Sequence, residues 1–137
     1  MAKDIFHEAV KQALIKDGWT ITDDPLMIPL GDRKLYIDLA AEKLLIADRQ
    51  DQRIAVEVKS FIGKSTMTEL QKAIGQYLLY LQSITIQQSN RRLYLAIPID
   101  IHKEFTQDKI IPIIQGNLGI KLIVYDPVNQ TIVLWLP

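Results

Sequence analysis

The chain has no cysteine in its 137 residues, which removes disulfides, zinc ribbons and thiol catalysis and fits a reducing compartment. It has no long apolar run. Nothing approaches the roughly 20 consecutive apolar residues of a membrane span, and Met1 to Lys16 is broken by Lys3, Asp4, His7, Glu8 and Lys11, so no leader peptide is expected. It also has no surplus of charge: 16 basic residues balance 16 acidic ones. A free-standing nucleic-acid binder usually carries a basic excess, because phosphate contacts and counterion release dominate its affinity. If this chain touches DNA, it needs a local basic patch, a metal or a partner subunit. Missing too are a Gly-rich phosphate loop, a Gly-x-Ser-x-Gly elbow and a His-Glu-x-x-His pair, which leaves small-molecule chemistry of the familiar kinds without support.

What remains is the composition of a soluble, cytoplasmic globular protein, 48% hydrophobic and 23% charged, with no repeat, low-complexity stretch or linker. Residues 1–137 are therefore expected to form a single domain. Residues 3–17 place Phe6, Val10, Ala13 and Leu14 on one helical stripe, and Gly18 offers a left-handed cap. Trp19 to Thr22 and Leu26 to Leu30 read as short strands, with a turn at Asp24-Pro25. Lys34 to Ala40 reads as a strand with Leu35, Ile37 and Leu39 on one face and Tyr36, Asp38 and Ala40 on the other. Lys43 to Asp48 continues it or begins another.

Gln50 to Gln52 reads as a turn, after which Arg53 to Lys59 pairs back antiparallel. Thr66 and Glu69 suggest a capping box, opening a helix to about Leu81 whose stripe is Leu70, Ala73, Ile74, Tyr77, Leu78 and Leu81. Gly75 in mid-helix is unfavourable by about 1 kcal/mol against alanine, and close packing on a sheet would explain it. The apolar run Leu93 to Ile97 is expected at the centre of the sheet. Short helical segments at Ile99 to Phe105 and Lys109 to Gln115 follow. A terminal hairpin of Gly119 to Tyr125 and Thr131 to Leu136 completes an α/β fold, a mixed central β-sheet flanked by α-helices.

Alternation identifies the chemically interesting residues. In Arg53-Ile-Ala-Val-Glu-Val-Lys59, a strand sends Ile54, Val56 and Val58 one way and Ala55, Glu57 and Lys59 the other. Glu57 and Lys59 are then about 7 Å apart along one face, and Asp38 on a neighbouring strand can reach them. Paired carboxylates suit a hard cation such as Mg²⁺ or Mn²⁺, which polarises a phosphoryl oxygen and acidifies water. Lys59 would orient that water or offset developing charge. Standing alone, Glu-x-Lys is also the common pattern of a strand's wet face. It is the combination of hairpin, Asp38 and following helix that points to a site.

That combination resembles the PD-(D/E)XK superfamily, which implies a restriction-endonuclease-like three-layer fold. Ile37 stands in place of the eponymous proline. Gln76 and Tyr80, four apart on one helical face, are similar to the Gln-x-x-x-Tyr element of its RecB-like branch. A closer resemblance rests on Phe6-His7, Ala13-Leu-Ile-Lys-Asp-Gly-Trp-Thr-Ile-Thr22, Asp24-Pro25, Ile37-Asp-Leu-Ala-Ala-Glu-Lys43, Ile54-Ala-Val-Glu-Val-Lys-Ser-Phe61 and Ala73-Ile-Gly-Gln76. These stretches resemble the XisH family of cyanobacterial fdxN-element excision controlling factors. The resemblance implies programmed excision of a DNA element, alongside a site-specific recombinase and a small XisI-like companion protein.

The expected site is thus Asp38 and Glu57 as metal ligands, with Lys59, Gln76 and His7 completing the catalytic set. His7, in register with Val10 and Leu14, can face the sheet, either to position a phosphate or water or simply as a core-edge residue. Glu8 is expected in solvent. Arg33-Lys34 and Arg91-Arg92 are candidate phosphate contacts or plain surface. In the alternative reading, a non-catalytic regulatory protein keeps the fold, Gln76 and Tyr80 are structural, and Glu57 with Lys59 is only an ion pair. The apolar end Trp135-Leu136-Pro137, if uncovered, calls for a homodimer or partner contact.

Overall fold

The computed structural model describes residues 4–45, 50–87 and 89–137, with backbone alone at 44, 45, 50 and 51. The expected helical start at Lys3 and the stretch Ile46 to Asp48 lie outside the described residues. The elements run α1 (His7–Lys16), β1 (Thr20–Asp23), β2 (Leu26–Leu30), β3 (Arg33–Ile37), β4 (Leu39–Leu45), β5 (Gln50–Val58), α2 (Thr66–Ile86), β6 (Arg92–Pro98), α3 (Ile99–Gln107), a π-helical segment (Pro112–Asn117), β7 (Leu122–Asp126) and β8 (Thr131–Leu136).

Six strands form one mixed sheet in the order β1-β4-β5-β6-β7-β8, and β2 and β3 make a separate hairpin. β5, β6 and β7 run parallel, while β1, β4 and β8 are antiparallel to their neighbours. A parallel step needs a long crossover, and α2 supplies it between β5 and β6. Helices flank both faces. On one side Val10 and Leu14 of α1 meet Leu39, Val56, Tyr94 and Tyr125. On the other, Leu70, Ala73 and Tyr77 of α2 and Phe105 of α3 meet Ala55, Leu95 and Val124. Residues 93 to 97 are all buried, as their continuous apolar run requires of a central strand.

Several expectations change. The strand expected over Lys34 to Ala40 breaks at Asp38, because the chain there leaves the hairpin for the main sheet. Alternation restarts at the break, so Ile37 packs on the α2 side and Leu39 on the α1 side, not on one shared face. Gln50 to Gln52 extends β5 and pairs with β4 rather than forming the turn; ladder hydrogen bonds outweigh the weak turn preference of polar residues.

The cap of α2 is Ser65, whose hydroxyl accepts from Thr68 N–H at 3.2 Å, and the helix runs on to Ile86. The Thr66–Glu69 box is therefore displaced by one residue. Leu78 is exposed and Tyr80 buried, which turns the buried stripe slightly from the expected one. A Cβ at Gly75 would meet nothing within 4 Å, so close packing does not account for that glycine. The expected Lys109–Gln115 helix is the π-helical segment at Pro112–Asn117. Trp135 is half-buried against Trp19 and Tyr94, leaving Val133 and Leu134 as the exposed apolar residues of β8.

Candidate functional site

The register Leu39↔Val56 between β4 and β5 brings Asp38, at the bend before β4, opposite Glu57. The two residues then clasp each other. Val58 N–H donates to Asp38 Oδ2 at 2.8 Å, and Asp38 N–H donates to Glu57 Oε1 at 3.4 Å. Lys59 Nζ lies 3.5 Å from Glu57 Oε2. Asp38 and Glu57 are only 7% and 5% exposed, whereas the Lys59 side chain is 21% exposed. Glu57 shares the face of Ala55, the α2 side of the sheet.

Burial sets the electrostatics of this trio. It pushes the Glu57 carboxyl up, the neighbouring Asp38 charge adds to the rise, and the result is a pKa of about 8. The Lys59 ammonium acts against this, a hydrogen bond shared with the Asp38 carboxyl raises it further, and the Asp38 N–H offsets part. One ammonium does not neutralise two buried carboxylates, so at neutral pH Glu57 holds a proton. Tyr80 of α2 belongs to the same environment. Burial, then the charges of Glu57 and Asp38, push its hydroxyl up to about 12, so it stays a neutral hydrogen-bonding group.

Two carboxylates short of positive charge are a suitable oxygen donor set for Mg²⁺ or Mn²⁺. Mg²⁺ takes one or two protein carboxylates and keeps several waters. Among the described residues no group of three or more His, Asp or Glu is gathered for a metal, so the fit is to a water-rich ion and not to a closed cage. Ion binding would displace the Glu57 proton and so strengthen with pH.

The other expected residues lie elsewhere. His7 is buried, and its Nε2 lies 2.7 Å from Asp24 Oδ1, with Lys11 Nζ donating to Asp24 Oδ2 at 2.8 Å. Burial pushes the Asp24 carboxyl up, but the hydrogen bonds from Lys11 and His7 outweigh it and hold the group below its usual range. His7 Nδ1 is buried with no hydrogen-bond partner among the described residues. The contacts of His7 thus run to Asp24, not to the Asp38–Glu57 pair. Gln76 is exposed on α2, one turn before Tyr80, and no hydrogen bond joins it to the acidic pair among the described residues. Glu8 is in solvent and accepts from Gln12 Nε2 at 2.9 Å.

Arg91 is structural: its guanidinium donates to the carbonyls of Ile54 and Ala41 at 3.2 and 3.5 Å and to Thr22 Oγ1 at 3.3 Å, and lies 3.5 Å from Asp23 Oδ2. Arg92, Arg33 and Lys34 are exposed.

Sequence reading missed the residues that secure Lys59. Lys59 N–H donates to the Ala96 carbonyl at 3.1 Å, and the Tyr125 hydroxyl donates to the Lys59 carbonyl at 2.8 Å. Ser60 N–H donates to Asp4 Oδ2 at 3.0 Å. Phe61, with φ of 59°, then turns back into the core against Phe105 at 5.6 Å. Asp4 and Tyr125 are 56 and 66 residues from the backbone they hold, and no spacing signal could have found them.

Comparison with known proteins gives a consistent family. Residues 1–133 match the family model described as XisH protein. A solved structure of an fdxN element excision controlling factor protein from Anabaena variabilis is 41% identical, covers 98% of this chain and 100% of its own, and superposes with a TM-score of 0.86. A solved XisH family protein from Nostoc punctiforme PCC 73102 is 38% identical over the same shares, also with a TM-score of 0.86. Among curated protein sequences no match is found.

Proposed function

We propose, for a chain that belongs to the XisH family, a nuclease-like role in the excision of a DNA element through metal-dependent phosphodiester hydrolysis at Asp38, Glu57 and Lys59. The observation that carries this reading is the clasp itself: two buried carboxylates, one at the bend before β4 and one on β5, with one ammonium 3.5 Å from the second. A mixed sheet that presents such a set ahead of a helix fits a restriction-endonuclease-like fold. The neighbour from Anabaena variabilis, named as an excision controlling factor, supplies the biological setting.

In this reading Asp38 and Glu57 would hold Mg²⁺ or Mn²⁺, which supplies Lewis-acid polarisation of a phosphoryl oxygen and a more acidic water. Glu57 must first give up its proton, so ion affinity, and with it activity at limiting ion, is expected to rise with pH. Lys59 orients the attacking water or offsets charge on the phosphoryl group, and the hydrogen bonds from Tyr125 and to Ala96 keep its backbone in place. Tyr80 remains a neutral hydroxyl beside the pair. DNA, an XisI-like companion protein and a site-specific recombinase are the partners this role calls for.

A second reading keeps the fold without catalysis and works through partner contacts. It is favoured by the solvent position of Gln76 and by the lack of a third acidic or histidine ligand among the described residues. The test is cleavage of plasmid and single-stranded DNA with Mg²⁺ or Mn²⁺, alone and with the companion protein, using Glu57→Ala and the isosteric Glu57→Gln as controls. Cleavage by the wild type that both variants lose supports the nuclease. No cleavage under any of these conditions leaves the regulatory reading.

A further inference from the structure

A cavity of about 520 Å³ opens on the α1 side of the sheet, lined among others by Trp19, Tyr94 and Trp135 and by Lys43, Arg53 and Arg92. It is separate from the acidic pair. Ile54 and Tyr94 belong to the α1-side core, whereas Glu57 points to the opposite face, nearer the end of β5. Its size falls within the roughly 300–1,000 Å³ of small-molecule sites.

The lining has two kinds of surface. Trp19 and Tyr94 are buried, and Trp135, half-buried, bridges them with ring centroids 5.6 Å and 5.1 Å away. Two cations, Lys43 and Arg92, stand on the side of the rings, with a single acid, Asp17. That acid already accepts from Trp19 Nε1 at 3.3 Å. Lys43 Nζ lies 5.9 Å from the Trp19 ring centroid, a cation–π arrangement. Lys43 Nζ also donates to the Asp17 carbonyl at 3.0 Å. Arg53, next to Ile54 on the strand, projects to the opposite face and lies 3.7 Å from Glu42, and Arg92 is exposed with no ion pair among the described residues. Among the described residues Arg92 is thus an unpaired cation beside the half-buried Trp135.

A purely aliphatic ligand would leave Arg92 unmatched, and an inorganic anion would make no use of the exposed part of Trp135. A molecule joining a flat aromatic base to a phosphate uses both, since bases stack on aromatic side chains and phosphates pair with guanidinium groups. We propose that this pocket binds a nucleotide, with its base against the half-buried Trp135 and its phosphate on Arg92 and Lys43. The nucleotide comes either from single-stranded DNA or from the free pool, and the proposal does not depend on hydrolysis at Glu57.

The chain has two tryptophans, and both line this cavity, so intrinsic fluorescence reads the site directly. The full chain is titrated with a short oligothymidylate, with thymidine monophosphate and with inorganic phosphate. Saturable quenching by the oligonucleotide alone assigns the site to strands; quenching by the mononucleotide as well assigns it to free nucleotides too. Arg92→Ala, at an exposed position, is expected to weaken binding about tenfold, with partial recovery in Arg92→Lys. The proposal is overturned by the absence of quenching up to millimolar nucleotide, by equal quenching with inorganic phosphate, or by an Arg92→Ala titration that matches wild type.

Discussion

Replacing Glu57 by glutamine removes a titrating group while keeping its shape and its acceptor for the Asp38 N–H. In the unfolded chain Glu57 titrates near 4.5, and in the folded protein near 8. Below 4.5 it is protonated in both states and contributes no difference. Between 4.5 and about 8 the unfolded chain releases the proton while the folded protein keeps it, so stability falls as pH rises. At ~1.4 kcal/mol per pKa unit the total loss is on the order of 3–5 kcal/mol. Urea unfolding at pH 5, 7 and 9 measures it through the free energy extrapolated to water.

At pH 5 wild type and Glu57→Gln should be nearly equal. At pH 9 the variant should be more stable by that same amount. The opposing case of Asp24, whose carboxyl is held below its usual value of 3.8, contributes stability that is present above that value and is common to both proteins, so it cancels from the comparison. Adding Mg²⁺ at pH 9 should restore wild type selectively, since a ligand at about one hundred times its Kd adds roughly 2.7 kcal/mol. Parallel curves for wild type and variant from pH 5 to 9 would refute the account of a buried carboxylate pair short of positive charge. A Mg²⁺ effect equal in both proteins would remove Glu57 from the ion's ligands.

Tyr125→Phe deletes the hydroxyl that donates to the Lys59 carbonyl at 2.8 Å and should destabilise the protein by about 1 kcal/mol, read from thermal unfolding; an unchanged midpoint would show that this bond does not secure the loop. Arg91→Ala removes a guanidinium that ties β1, β4 and β5 together through Thr22, Ala41 and Ile54 and should be destabilising by roughly 2–3 kcal/mol. A urea midpoint within error of wild type would return Arg91 to the class of surface charges.

The placement of Glu57 and Lys59 on one face was legible because a strand's period of two leaves no freedom once the strand is recognised. The same reasoning gave Asp38 the right neighbours for an incomplete reason. It treated Lys34 to Ala40 as one strand, whereas Asp38 is the bend between two sheets, and the backbone amides freed at that bend and in β5 are what the carboxylates accept from. Tyr80 was legible as a partner of Gln76 by helical spacing, but their environments were not. Tyr80 is buried near the acidic pair, and Gln76 faces solvent.

Local order, then, decided the strand that carries Glu57, the helix that follows it, and the central strand Leu93 to Ile97, since each depends only on periodicity and near neighbours. Tertiary structure decided the rest. Whether His7 joined the pair or Asp24, whether Arg91 became a clamp and Arg92 a pocket wall, and which residues held Lys59 all turn on contacts between segments far apart in the chain. So does the proton on Glu57, because desolvation belongs to the packed protein and to no single residue.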